Sequence, residues 1–101
     1  MIIYNVTLKV ATEISETWKD WMRQVHIPEM MAFGLFERAT FCHLLDQDEK
    51  DGLTFVVQYF CKQRSDYELY LQKYAPEMRQ KGLDKFGDKA LAFRTLMEVI
   101  D

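Results

Sequence analysis

Glycine, proline, cysteine and histidine are scarce in this chain, at four, two, two and two residues of 101. With no Cys-x-x-Cys, no His-x-x-x-His and no third ligand nearby, a dedicated zinc site is not expected. No apolar run approaches the roughly 20 residues of a bilayer-spanning helix, so a membrane anchor is not expected. Met1-Ile2-Ile3-Tyr4-Asn5 lacks the basic start and small-residue exit of a signal peptide, which points to the cytoplasm. Positive charge is also short. Thirteen Lys and Arg face sixteen Asp and Glu, a net charge of −3, so the electrostatic footprint of a general nucleic-acid binder is missing. Linkers and low-complexity segments are absent.

What is present is apolar: 49% of the residues are hydrophobic and 14% aromatic, enough for one two-layer core in a single domain over residues 1–101. Ile2 to Val10 alternates with period two, the signature of a half-buried strand. After Thr12, a candidate N-cap, Ile14, Trp18, Trp21, Met22 and Val25 draw one stripe along a helix. Phe36 to Leu45 and Leu53 to Cys61 read as two strands of a hairpin, joined by the polar, glycine-ended segment Asp46 to Gly52. Ser65-Asp66-Tyr67-Glu68 has the form of a capping box, and Tyr67, Tyr70, Leu71, Tyr74 and Met78 continue a helical stripe. A last strand runs from about Ala90 to Ile100. The order is βαββαβ.

Both prolines fall in an ungapped internal repeat, Pro28-Glu29-Met30-Met31-Ala32-Phe33-Gly34-Leu35 against Pro76-Glu77-Met78-Arg79-Gln80-Lys81-Gly82-Leu83. In each copy proline is expected to end one helix and open a short second one, and glycine to supply the left-handed stop. Two equivalent β-α-β halves with right-handed crossovers give a four-stranded antiparallel sheet with both helical crossovers on one face, the ferredoxin-like α+β arrangement.

Tyr4, Val6, Leu8; Phe55, Val57, Tyr59; and Leu91, Phe93, Met97, Val99 are the more apolar sides of their strands and are expected beneath the helices. The other sides carry Ile3, Asn5, Thr7; Val56, Gln58, Phe60; and Ala92, Arg94, Leu96, Glu98. That face is too apolar for water alone, since burying each large side chain is worth roughly 1.5–3 kcal/mol, and a second copy of the sheet would cover it.

The chain also resembles a family of short bacterial proteins, known as a domain of unknown function, within the dimeric α/β-barrel superfamily. The resemblance is carried by Ile3-Tyr4-Asn5-Val6, Trp18-x-x-Trp21-Met22, His26-Ile27-Pro28, Gln58-Tyr59-Phe60, Tyr74-Ala75-Pro76, Phe86-Gly87 and Ala92-Phe93-Arg94-Thr95. It implies a homodimer in which two sheets face each other as a barrel, with room for a ligand between sheet and helix ends, and it implies no assigned activity.

The polar residues on the mixed face, Asn5, Gln58 and Arg94, with His26 expected at its rim, are the candidate ligand-binding residues. Two roles compete for them: an inter-subunit hydrogen-bond network, or a pocket in which Arg94 holds an anionic or enolate group and Asn5 orients it. A binding or assembly role is the first reading, because no nucleophile–base pair is visible. The alternative is a cofactor-independent monooxygenase or isomerase; neither reading calls for a resident cofactor. Similar haem-degrading barrels draw an axial histidine from the second helix, and Ser65 to Gly87 contains none. Lys50 and Asp51 spoil the acidic turn as a calcium loop. A hairpin centred near Glu49 sets Cys42 opposite about residue 56, which keeps Cys61 out of disulfide reach. Gly52-Leu53-Thr54-Phe55-Val56 echoes an RNA-recognition motif, yet Asp51, Leu53 and Gln58 replace its basic and aromatic residues.

Overall fold

The computed structural model covers residues 1–101. At its centre lies β1 (Ile2–Val10), whose even-numbered residues are buried and whose odd-numbered ones are half-buried. It pairs antiparallel with β3 (Leu53–Cys61) on one side and β4 (Ala90–Glu98) on the other, and β2 (Arg38–His43) completes the order β2-β3-β1-β4. This is the ferredoxin-like α+β sheet that the periodicity implies. Cys42 pairs with Val56, as the turn position requires, and both cysteines are free thiols.

The first crossover is one continuous helical run rather than two helices broken at proline. α1 (Ser15–Trp21) passes through a five-residue π turn, Met22–His26, into α2 (Ile27–Ala32). Pro28 has no N–H to donate, and its ring would clash with the carbonyl four residues back in a regular α-helix. Widening the preceding turn relieves that clash, and the Ile27 N–H donates to the Met22 carbonyl five residues back. The second crossover does divide, into α3 (Arg64–Lys73) and α4 (Ala75–Phe86) with Pro76 in the first turn of α4.

Three local expectations are corrected. Ser65 lies inside α3, whose N-cap is Gln63, and its hydroxyl donates to the Gln63 side chain at 3.3 Å, so no capping box forms. Thr12 opens a short 3-10 turn after Ala11 and makes no side-chain cap. Gly34 has the left-handed φ of 76° expected of a stop, but Gly82 sits within α4 and the stop falls to Gly87 at φ 59°.

The face assignment of β4 is inverted. Tyr4 pairs with Leu96, Val6 with Arg94, Leu8 with Ala92 and Val10 with Ala90. Paired residues share a face, so Ala90, Ala92, Arg94 and Leu96 lie beneath the helices, and Leu91, Phe93 and Met97 join Ile3, Asn5 and Thr7 on the open face. Apolarity alone misled here, because the open face of β4 is the more apolar one: Leu91 is 50% and Phe93 63% exposed.

The core between sheet and helices is strongly aromatic. Tyr4 packs against Phe36, Tyr59, Tyr67 and Tyr70 with ring centroids 5.1–6.4 Å apart. Trp18, fully buried from α1, meets Phe55 at 5.0 Å and Phe41 at 5.6 Å.

Candidate functional site

A cavity of about 340 Å³ opens between the helix-side faces of β1 and β4 and the two crossovers. Small residues create it. Ala90 and Ala92 lie opposite Val10 and Leu8, and Gly82 of α4 faces the same space, with no atom near the place a Cβ would take. Sixteen of its twenty lining residues are hydrophobic, among them Trp18, Trp21, Tyr70 and Phe86, and the other four are His26, Arg79, Gly82 and Arg94. No aspartate or glutamate lines it. Its size and lining are those of a small-molecule site.

The π turn positions His26. Side chains five residues apart on an α-helix point about 140° away from each other at about 100° per residue. The wider turn brings Trp21 and His26 into a stack with centroids 4.9 Å apart and 28° between planes, while Phe86 of α4 meets Trp21 edge-on at 5.4 Å. Burial is the main influence on the imidazole and holds its pKa at about 4; Glu29 pulls it up, and Arg94 and Lys81 push it further down. At neutral pH the ring is therefore uncharged. Glu29 is engaged elsewhere, accepting from Lys81 at 2.8 Å, a bridge that ties α2 to α4 beside the histidine.

Three buried polar side-chain atoms have no hydrogen-bond partner: His26 Nδ1, Tyr59 OH and Arg79 Nε. All three belong to residues lining this one cavity. Groups of this kind cost free energy unless something satisfies them; here the atoms themselves are shielded, and it is their residues that border the cavity. Burial pushes the Tyr59 and Tyr70 hydroxyls up, which keeps both as neutral donors. Arg79 reaches from α4 to donate to Tyr4 OH at 3.4 Å.

The four residues expected to form one site divide between the two faces of the sheet. Arg94 and His26 line the cavity on the helix side, so His26 is not at the rim of the open face. Asn5 and Gln58 lie on the open face, where Gln58 Nε2 donates to Asn5 Oδ1 at 3.3 Å. Asn5 Nδ2 in turn donates to Thr7 and Thr95 Oγ1, each at 3.3 Å, and Thr40 Oγ1 donates to Gln58 Oε1 at 3.4 Å. This belt crosses all four strands and satisfies its own members. Arg38, beside it, stacks on Phe60 with 3.7 Å between guanidinium carbon and ring centroid. His43 lies on the edge strand β2 as expected, paired with Glu49 at 2.7 Å and stacked on Phe55.

Arg79 and Tyr59 escape the reading of the sequence. The repeat carried a signal for the first: Arg79 aligns with Met31, so one copy places a cation where its twin has an apolar side chain. Tyr59 offers none, since a tyrosine on an apolar strand face is ordinary core until its hydroxyl is seen to lack a partner.

Comparison with solved structures agrees with the fold. A protein from Nitrosomonas europaea provisionally described as an antibiotic biosynthesis monooxygenase superposes with a TM-score of 0.71 at 16% identity, covering 100% of both chains. An ethyl tert-butyl ether (EthD) family protein from Bacillus halodurans gives 0.69 at 11% identity, over 99% of this chain and 100% of the other. A dimeric ferredoxin-like protein from an uncultured marine organism gives 0.68 at 14% identity, over 99% and 95%. At such identities the likeness establishes the fold alone. No curated protein matches the sequence. The model of the family described as Domain of unknown function (DUF4286) matches residues 1–100, and the chain belongs to that family.

Proposed function

We propose that the protein is a homodimeric binding protein that takes a small molecule into the cavity between its sheet and helices. The observation that carries the ligand half is an apolar cavity of about 340 Å³ whose wall includes two arginines that enter no ion pair. The dimer half is supported by the open face. Leu91, Phe93 and Met97 are 38–63% exposed on β4 and flank the self-satisfied belt through Asn5 and Gln58, a combination that suits burial against a second sheet. A solved neighbour is itself described as dimeric.

A second reading, a cofactor-independent monooxygenase or isomerase, is favoured by one feature. His26, with its ring uncharged, lines the same cavity as Arg94, a polar group beside a cation of the kind that stabilises an enolate.

A native mass spectrum of gently purified protein tests the first reading. The expected species is a dimer, either carrying extra mass or, when bare, brightening the neutral probe N-phenyl-1-naphthylamine. A monomer at micromolar concentration overturns the dimer, and a bare protein that leaves the probe dark overturns the ligand site. Phe93→Asp is expected to convert the dimer to monomer with its circular dichroism unchanged.

A further inference from the structure

The cavity is asymmetric in charge. Arg79 and Arg94 are its only charged lining residues, neither enters any ion pair of the chain, and no carboxylate lines the wall to neutralise them. The Arg79 guanidinium makes one hydrogen bond, to Tyr4 OH at 3.4 Å, and its Nε is buried without a partner. A half-buried cation with donors to spare and its Nε shut away from water is costly, and what offsets that cost elsewhere in proteins is an anion with matching acceptors.

The two arginines belong to the same end of the cavity. Arg94 faces it from β4 opposite Val6, one same-face position along β1 from Tyr4, and Arg79 meets Tyr4 from α4. Burial raises the pKa of Tyr67 and of Tyr70, and both guanidiniums pull against that rise, so their fields reach the same two phenols. The remainder of the wall is apolar and largely aromatic, with Trp18, Trp21 and Phe86 toward α1 and α4. His26, neutral at physiological pH, adds no third charge. Arg94 is exposed and shares its charge with solvent, whereas Arg79 is half-buried, so a single negative charge suffices.

Resting on the reading of this cavity as a ligand site, the geometry points to an occupant that is a monocarboxylate on a flat apolar body, its carboxylate held between Arg79 and Arg94. Arginine suits this task because its planar fork matches two carboxylate oxygens at once.

The test compares 2-naphthoate with its uncharged isostere 2-naphthamide by isothermal titration calorimetry on the intact protein. Naphthoate is expected to bind about tenfold more tightly or better, since charge-assisted hydrogen bonds are the stronger class. Arg79→Gln and Arg94→Gln are each expected to shrink that preference, while Lys50→Gln, in the distant hairpin, leaves it unchanged. Equal binding of acid and amide overturns the anion and leaves the cavity as a ligand site. An equal loss of preference on Lys50→Gln also overturns it, by assigning the effect to general charge. Binding of neither molecule overturns the ligand site itself. The comparison on the unaltered protein stands whether or not the arginine variants fold.

Discussion

His26 couples the stability of the protein to pH, and the size of the coupling follows from its position. In the unfolded chain the imidazole titrates at 6.5, whereas in the folded protein burial against Trp21 holds it at about 4. A folded-state pKa below the unfolded one means that protons bind the unfolded chain first. The stabilisation is therefore complete above about pH 6.5 and is lost as pH falls toward 4. Each pKa step is worth 1.36 kcal/mol, so the loss attributable to this one side chain by pH 4 is about 3 kcal/mol. Urea unfolding at fixed protein concentration, followed from pH 8 to 4 for the native chain and for His26→Gln, isolates it, because every other titrating group is common to both. The two stability curves are expected to run parallel above pH 7 and to converge by about 3 kcal/mol at pH 4. Curves that stay parallel throughout would refute the reasoning, for the ring would then titrate in the folded state as it does in water.

Other outcomes follow from packing and backbone geometry. Trp18→Ala removes the fully buried indole that joins Phe41 to Phe55 and is expected to cost about 3–5 kcal/mol, read by the urea midpoint. Gly52→Ala would set a Cβ 2.6 Å from the Val10 carbonyl oxygen at φ 132° and is expected to cost about 1–3 kcal/mol. Gly34→Ala, at φ 76° with open space around it, bears only the left-handed penalty of about 1 kcal/mol, and a larger loss there than at Gly52 would contradict this account.

The order of elements was legible in the sequence because each strand and helix carries its own period. β1 and β3 begin and end where their alternation does. Facing was legible only where one side of a strand is plainly polar. β4 has no such side: its helix face holds Ala90, Ala92 and Arg94 because a cavity lies there, and its open face holds Leu91, Phe93 and Met97. Hydrophobicity reports that a surface is covered, not which surface covers it. Inverting β4 moved Arg94 from the company of Asn5 and Gln58 to that of His26 and Arg79, so the four expected residues lie two on each face of the sheet. The π turn was invisible for another reason. A proline in a helical pattern signals interruption, and whether the chain breaks or widens there depends on the tertiary packing that holds Trp21 against Phe86.

The two thiols give the chain an internal clock for its own opening. Cys42 is exposed on the edge strand, whereas Cys61 is wholly shielded at the end of β3, paired with Ile2 of the central strand, and burial raises its pKa. A thiol reagent added in excess must wait for the chain around the end of β3 to open before it meets Cys61. The slow phase of labelling thus measures how often this end of the sheet, where Cys61 meets Ile2 and the start of α3, opens. Any ligand or partner that stabilises the native sheet will announce itself by lengthening that wait.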